Sequence, residues 1–320
     1  MYVTLIVVAA LWGGATGLLL PRAAYRLSVE PEQAWRGSCP AGHPITGPAG
    51  GWLGGTRCAG CDAGVPARTP GTETERPAPD TAHAPAPDTA HAPSPDDADA
   101  APTPLAPTPL ATTPPATTEA VTAVEPGEPR PPVAPVAPVA YAPSVLIPLL
   151  TALSCAALAA ATGPRPELAV WLLFTPFAVL LALVDRHVHR LPDQLTLPLA
   201  AAAAVLLGGA ALLPAAGGSW PSALLGGVAL GACYFVLFLI NPNGMGFGDV
   251  KLALSLGVAL GWYGWEVLFV GAFAGFLLGA LYGLGLILLR RAGRKSSIPF
   301  GPFMITGALI GILLGGLAAA

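Results

Sequence analysis

From residue 143 to the end of the chain, apolar runs follow one another with few polar breaks. Candidate spans are 144–162, 168–184, 195–213, 222–240, 251–263, 267–289 and 302–319, and an eighth apolar run covers residues 2–20. A helix that crosses a bilayer needs about 20 consecutive apolar residues. Within lipid, every backbone N–H and C=O must be satisfied inside the segment itself. These constraints predict an all-α fold: a polytopic membrane helix bundle with about eight transmembrane helices, in contact with membrane lipid. Composition agrees, since only 10% of the residues are charged against roughly 25% in globular domains. There is no basic stripe, so no nucleic-acid partner is expected.

Residues 2–20 carry no basic residue ahead of the apolar run, whereas Pro21, Arg22 and Arg26 follow it at once. A signal peptide has the opposite charge order, so this run reads as a retained first helix with its N-terminus outside. From that start, the loops expected inside hold Arg22 to Arg130, Arg186 and Arg190, Lys251, and Arg290 to Lys295. Only Arg165 falls in a loop expected outside, as the positive-inside rule requires.

Two polar tracts interrupt the apolar pattern. Residues 21–65 hold Cys39, His43, Cys58 and Cys61. Cys58-Ala59-Gly60-Cys61 is a C-x-x-C pair, and Cys39 with His43 offers two further ligands. Two such pairs separated by a loop suit tetrahedral zinc, and an intracellular setting disfavours the alternative disulfide. Cys155 and Cys233 lie in apolar runs and read as small core residues. Residues 66–142 are low in complexity: Pro77 to Ala84 recurs as Pro85 to Ala92, and Pro-Val-Ala units come later. Such a tract buries too little apolar surface to offset its ordering entropy. It is expected to be a disordered linker or a protein-contact tail, and His83 and His91 belong to the repeat.

Gly244-Met245-Gly246-Phe247-Gly248-Asp249 leads into the 251–263 span. An ionisable group there is a functional candidate, although an aspartate also caps helices well. A second aspartate, Asp185, ends the 168–184 span, and two spans separate it from Asp249. Both therefore belong at the cytoplasmic face. Two carboxyls in one site share a proton more readily than both ionise; one can then activate a water while the other protonates or polarises a carbonyl. No serine or cysteine nucleophile with a matching base is evident. Around the pair, Arg186, His187, His189 and Arg190 read as an interfacial basic belt. Asp193 either starts the next helix or supports the site. Lys251 either acts on a carboxylate or snorkels. Glu167, beside Arg165, and Glu266, at the outer face, are set aside.

Gly246-Phe247-Gly248-Asp249 resembles the G-x-G-D motif of intramembrane aspartic proteases. Asp185 with Leu191-Pro192-Asp193-Gln194-Leu195-Thr196-Leu197-Pro198, and the closing Ile298-Pro299-Phe300-Gly301-Pro302-Phe303, resemble the bacterial type IV prepilin peptidases. The resemblance implies an aspartic endopeptidase of the cytoplasmic membrane. Its catalytic pair would be Asp185 and Asp249, needing no cofactor, and it would cut the basic leader from prepilins and pseudopilins at the cytoplasmic face. It also implies N-methylation of the new terminus with S-adenosylmethionine, and a cysteine-bearing loop after the first helix. Here Gly42 stands where the first C-x-x-C should close, and Pro21 and Ser28 replace the usual Asn and Pro. The proline-rich tract takes the place of the residues expected after the second pair. These departures bear on methyl transfer rather than on proteolysis. Gly246 and Gly248 would let an extended substrate pair with this backbone. Two rival readings are a small transporter that uses membrane carboxylates for proton coupling and a membrane scaffold built around the proline-rich tract.

Overall fold

The computed structural model describes residues 2–29, 33–54, 57–64, 145–242, 245–289 and 299–319. Met1–Thr69 and Pro135–Ala320 make up one compact unit. The expected linker, residues 66–142, lies outside the described residues, as do Gly244, Ile298 and the basic cluster from Arg290 to Lys295. Helices account for nearly all the regular structure described: α1 Tyr2–Gly17, α2 Leu20–Leu27, α3 Leu146–Thr162, α4 Glu167–Val188, α5 Asp193–Ala211, α6 Trp220–Ile240, α7 Phe247–Gly261, α8 Trp265–Leu288 and α9 Gly301–Ala318. One isolated antiparallel pairing joins Ser38 to Pro44.

Each of the eight apolar runs is helical, though not every one of these helices is long and apolar enough to cross a membrane by itself. Among the described residues five helices qualify, namely α4, α5, α6, α8 and α9, and there is a sixth if α1 and α2, bent by 41°, are one span. With 17 and 15 residues, α3 and α7 reach only about 26 and 22 Å at 1.5 Å per residue, against about 30 Å of hydrocarbon. The start of α7 also differs from the expected span 251–263. The helix begins at Phe247, so Asp249 sits within its first turn rather than ahead of it.

α7 is the hub, packed against α5, α6, α8 and α9. Apolar side chains gain little from meeting each other rather than lipid, so close backbone approach between small residues has to hold such a bundle together. Glycines spaced four apart supply it. Gly257 and Gly261 of α7 face Gly226 of α6, and a Cβ on Gly257 would lie 2.5 Å from the Gly226 carbonyl oxygen. Gly307 of α9 presses between Gly271 and Gly275 of α8, and Gly13 and Gly17 of α1 meet Thr151 and Pro148 of α3 in the same way.

One end of the bundle is closed by a polar network. Glu167, set aside in the sequence, is completely buried. Its Oε1 accepts the Gly217 amide at 3.1 Å and lies 4.0 Å from Arg165 Nη1. Arg165 donates to the Gly316 carbonyl at 3.2 Å, and Trp171 Nε1 donates to the Tyr263 hydroxyl at 3.1 Å. The loop after α5 and the far ends of α7 and α9 are thereby fixed to the start of α4. Asp185 stands at the other end of α4, 18 residues on or about 27 Å along the axis.

Gly257→Ala is expected to force α6 and α7 apart and to cost about 1–3 kcal/mol, as overpacking does. Thermal unfolding in detergent reads the loss, and an unchanged midpoint would show that this crossing is not held by close approach.

Candidate active site and metal centre

Asp185 lies in the last turn of α4. That helix stops because His189 takes a left-handed conformation (φ 52°) and donates its amide to the Asp185 carbonyl at 2.8 Å; histidine is among the few side chains that tolerate this region. Pro192 is extended and sets the start of α5 at Asp193. Asp249 is the third residue of α7. Its Oδ2 accepts the Gly246 amide at 3.2 Å while its own amide donates to the Gly246 carbonyl at 3.0 Å. This reciprocal cap resembles a capping box, with the glycine carbonyl standing in for the usual hydroxyl. The capping reading of Asp249 therefore holds, and it occupies only one carboxylate oxygen.

The Asp185 carboxylate is anchored from a third helix: the Gly301 amide, at the start of α9, donates to its Oδ2 at 2.9 Å. Both aspartates are buried, yet they line one cavity of about 140 Å³ together with His189, Arg190, Asp193, Lys251 and the Gly246–Asp249 turn. Lys251 turns to Asp193 rather than to either buried carboxylate, with Nζ 2.6 Å from Asp193 Oδ2 and 4.8 Å from the centre of the Phe247 ring. Gly248 leaves room for Leu191, whose Cβ would lie 3.0 Å from an added side chain, whereas a Cβ on Gly246 would meet nothing closer than Asp249 Oδ2 at 3.7 Å. His189 and Arg190, read from sequence as part of an interfacial basic belt, stand at the cavity wall.

Cys39, His43, Cys58 and Cys61 converge, with their ligand atoms all within 4.8 Å of one another. Cys39 Sγ is 3.6 Å from His43 Nδ1 and 3.8 Å from Cys61 Sγ, and His43 Nδ1 is 3.2 Å from Cys61 Sγ. A tetrahedral ion with metal–sulfur bonds of about 2.3 Å sets its ligand atoms roughly 3.5–3.8 Å apart, so the cluster can hold a metal ion. Gly42 makes this possible. It takes φ 84° and donates to the Cys39 carbonyl at 2.8 Å, which closes a tight turn and returns His43 to Cys39. Gly60 is bare because a Cβ there would lie 2.8 Å from His43 Cγ. Burial opposes ionisation of Cys58, but the amides of Cys61 and Gly60 and the thiols of Cys39 and Cys61 outweigh it and bring its pKa down to about 7.

Arg22, counted in the sequence only for its charge, organises this loop. It is buried beneath the loop in α2 and donates to the carbonyls of Thr46, Leu53 and Arg57 at 3.1–3.3 Å. Nothing in the local sequence around Arg22 marks that role, because its partners lie 24 to 35 residues away.

Known proteins share the part of the chain that carries this geometry. Residues 172–284 match the family model described as the type IV leader peptidase family. The leader peptidase segment contains Asp185, Asp193 and the Gly246–Lys251 turn, and stops short of α9. The prepilin leader peptidase/N-methyltransferase of Aeromonas salmonicida (strain A449) is 38% identical over 171 residues, which is 53% of this chain and 57% of that protein. The proteins of the same name from Pseudomonas aeruginosa and Bacillus subtilis are each 30% identical, over 53% and 52% of this chain and 58% and 64% of their own lengths. The chain therefore matches less than two thirds of each of these relatives. No solved structure matches it. The family and the apolar helices together make this a multi-pass membrane protein.

Arg22→Met is expected to weaken metal retention by about 10- to 100-fold, the usual cost of removing a group that orients the ligands. Competition with a chromogenic chelator measures this. Unchanged retention would mean that the loop holds its shape without Arg22.

Proposed function

We propose that the chain is a membrane-embedded aspartic endopeptidase that removes the leader of type IV prepilin-like proteins at the cytoplasmic face of the cytoplasmic membrane. The observation that carries this reading is the pair of buried carboxylates, Asp185 and Asp249, lining one cavity of about 140 Å³ within the leader peptidase segment. In this mechanism one carboxylate accepts a proton from a water whose oxygen bonds to the scissile carbonyl carbon. The partner carboxyl gives its proton to the carbonyl oxygen, forming a neutral gem-diol. The first aspartate then returns its proton to the peptide nitrogen as the C–N bond breaks. A gem-diol hydroxyl reprotonates the second aspartate, leaving a carboxylic acid and an amine and restoring the pair.

The Cys39, His43, Cys58 and Cys61 cluster would hold zinc. Four protein ligands leave no open coordination position, so the ion would cross-link the loop rather than activate water. Methyl transfer to the new amino terminus, with S-adenosylmethionine as donor, is a second reading supported by the shared name of the relatives. Proton-coupled transport draws less support. Both carboxylates lie toward one end of the bundle, and the other end is closed by the Arg165–Glu167 network.

Asp185→Asn and Asp249→Asn are each expected to lower cleavage of a co-expressed prepilin by about 10²- to 10⁴-fold, the range for loss of a general acid or base, with insertion intact. Mass spectrometry of the pilin N-terminus reports the cut and any added methyl group together. Continued processing by both variants would remove the aspartates from the mechanism.

A further inference from the structure

The closing stretch Pro299-Phe300-Gly301-Pro302-Phe303 lies beyond the leader peptidase segment, and nothing in the mechanism above uses it. The first amides of α9 explain what it does. A helix N-terminus leaves its first N–H groups without partners inside the helix. In α9 the Phe303 and Met304 amides both donate to the Phe300 carbonyl, at 3.1 and 3.2 Å, and Pro302 has no N–H. The Gly301 amide is left over, and it goes to Asp185 Oδ2 at 2.9 Å. Asp185 thus caps α9 from a different helix, 116 positions away.

Two features make this contact hard to move. Phe300 is clamped by aromatic rings, with its centroid 5.2 Å from that of Phe276 and 6.2 Å from that of Tyr234, and those two rings are 5.3 Å apart. Gly279 of α8 is bare beneath Phe300, where a Cβ would lie 3.0 Å from the ring. At Gly301 itself a Cβ would lie 2.8 Å from Asp185 Oδ2 and 3.1 Å from its Cγ. Residue 301 therefore has to lack a side chain for the carboxylate to sit where it does.

We propose that Gly301 is a positioning residue of the aspartate pair: its amide holds Asp185 by Oδ2 and so directs the other oxygen to the cavity shared with Asp249. Among the described residues that second oxygen has no hydrogen-bond partner, so it is free to take the proton of a water. The inference rests on the endopeptidase reading for its catalytic consequence, but the contact can be tested without it.

The experiment uses the full-length protein in lipid nanodiscs. Gly301→Ala is expected to lower kcat for a prepilin-type peptide by about 10²-fold, the scale of a misplacement of about 1 Å. KM should stay within about threefold, because binding is not what the contact supplies, and the unfolding midpoint should hold. Thr306→Ala, on the exposed side of the same helix, should leave turnover unchanged. In parallel, with isotope-labelled glycine, the Gly301 amide resonance (identified by its loss in Gly301→Ala) should move in Asp185→Asn and not in Thr306→Ala. A Gly301 amide indifferent to Asp185→Asn would overturn the proposal whatever the activity. So would full turnover by Gly301→Ala, or a fall in kcat no larger than a parallel loss of folded protein explains. If the wild-type protein leaves the peptide uncut while the amide still responds to Asp185→Asn, the endopeptidase reading fails and the positioning contact stands.

Discussion

Two carboxylates inside an apolar bundle are costly unless donors are fixed around them, and here each takes a backbone amide from the start of a helix. Gly246 serves Asp249 within α7, and Gly301 serves Asp185 from α9. Backbone donors differ from side-chain donors in that they cannot rotate away. A helix N-terminus also carries partial positive charge, which suits an anion. Satisfying one oxygen of each carboxylate this way leaves the other for the cavity. The cost of burial is reduced without spending both lone-pair sets, and such preorganised donors need no rearrangement as charge develops.

That arrangement depends on where three helix ends lie, and the glycine contacts set those positions. α7 is short, and its far end leads into Tyr263, whose hydroxyl accepts from Trp171 in the polar closure. Close contact with α6 through Gly257 and Gly261 fixes its position along that helix, because a slide along the axis would bring side chains onto the bare positions. α9 is held against α8 in the same manner, and this brings Gly301 under Asp185. The far polar network holds α4 at its other end. Distant packing and local chemistry are thus one mechanical system, because a helix shifted along its axis at Glu167 is also shifted at Asp185.

The sequence made the two aspartates and the four loop ligands legible, because chemistry that is rare in an apolar or low-complexity background stands out. A carboxylate at the edge of a span and a cysteine pair around Ala59-Gly60 are each improbable as filler. It did not reveal Glu167, Arg22 or the role of Gly301. Glu167 beside Arg165 looks like an ordinary charged loop pair, and only the return of the Gly217 loop and the end of α9 buries it. Arg22 resembles any residue after a first span until its three carbonyl partners fold over it. Gly301 acts through its amide, which every residue but proline possesses, so its type signals only that space is short. The start of α7 was misplaced for a related reason. Glycines usually argue against a helix, yet Gly246 and Gly248 occupy the cap and the first turn, where an Asp249 carboxylate and a close neighbour favour them.

The loop shows how a departure from a repeated ligand pattern can be absorbed by backbone geometry. A second C-x-x-C would place its closing sulfur at position 42. Glycine there offers no ligand, but its left-handed conformation turns the chain so that the next residue, His43, reaches back to Cys39. The imidazole then needs more room than a thiol would. Gly60, within the opposing C-x-x-C, provides that room by lacking a Cβ that would strike the ring. Gly42, His43 and Gly60 therefore form one substitution in physical terms: a cysteine at 42 would leave His43 redundant, and a side chain at 60 would expel it. Because Arg22 ties the same loop to α2, which continues from the first apolar helix through the 41° bend, the Cys/His cluster is mounted on the bundle rather than tethered to it.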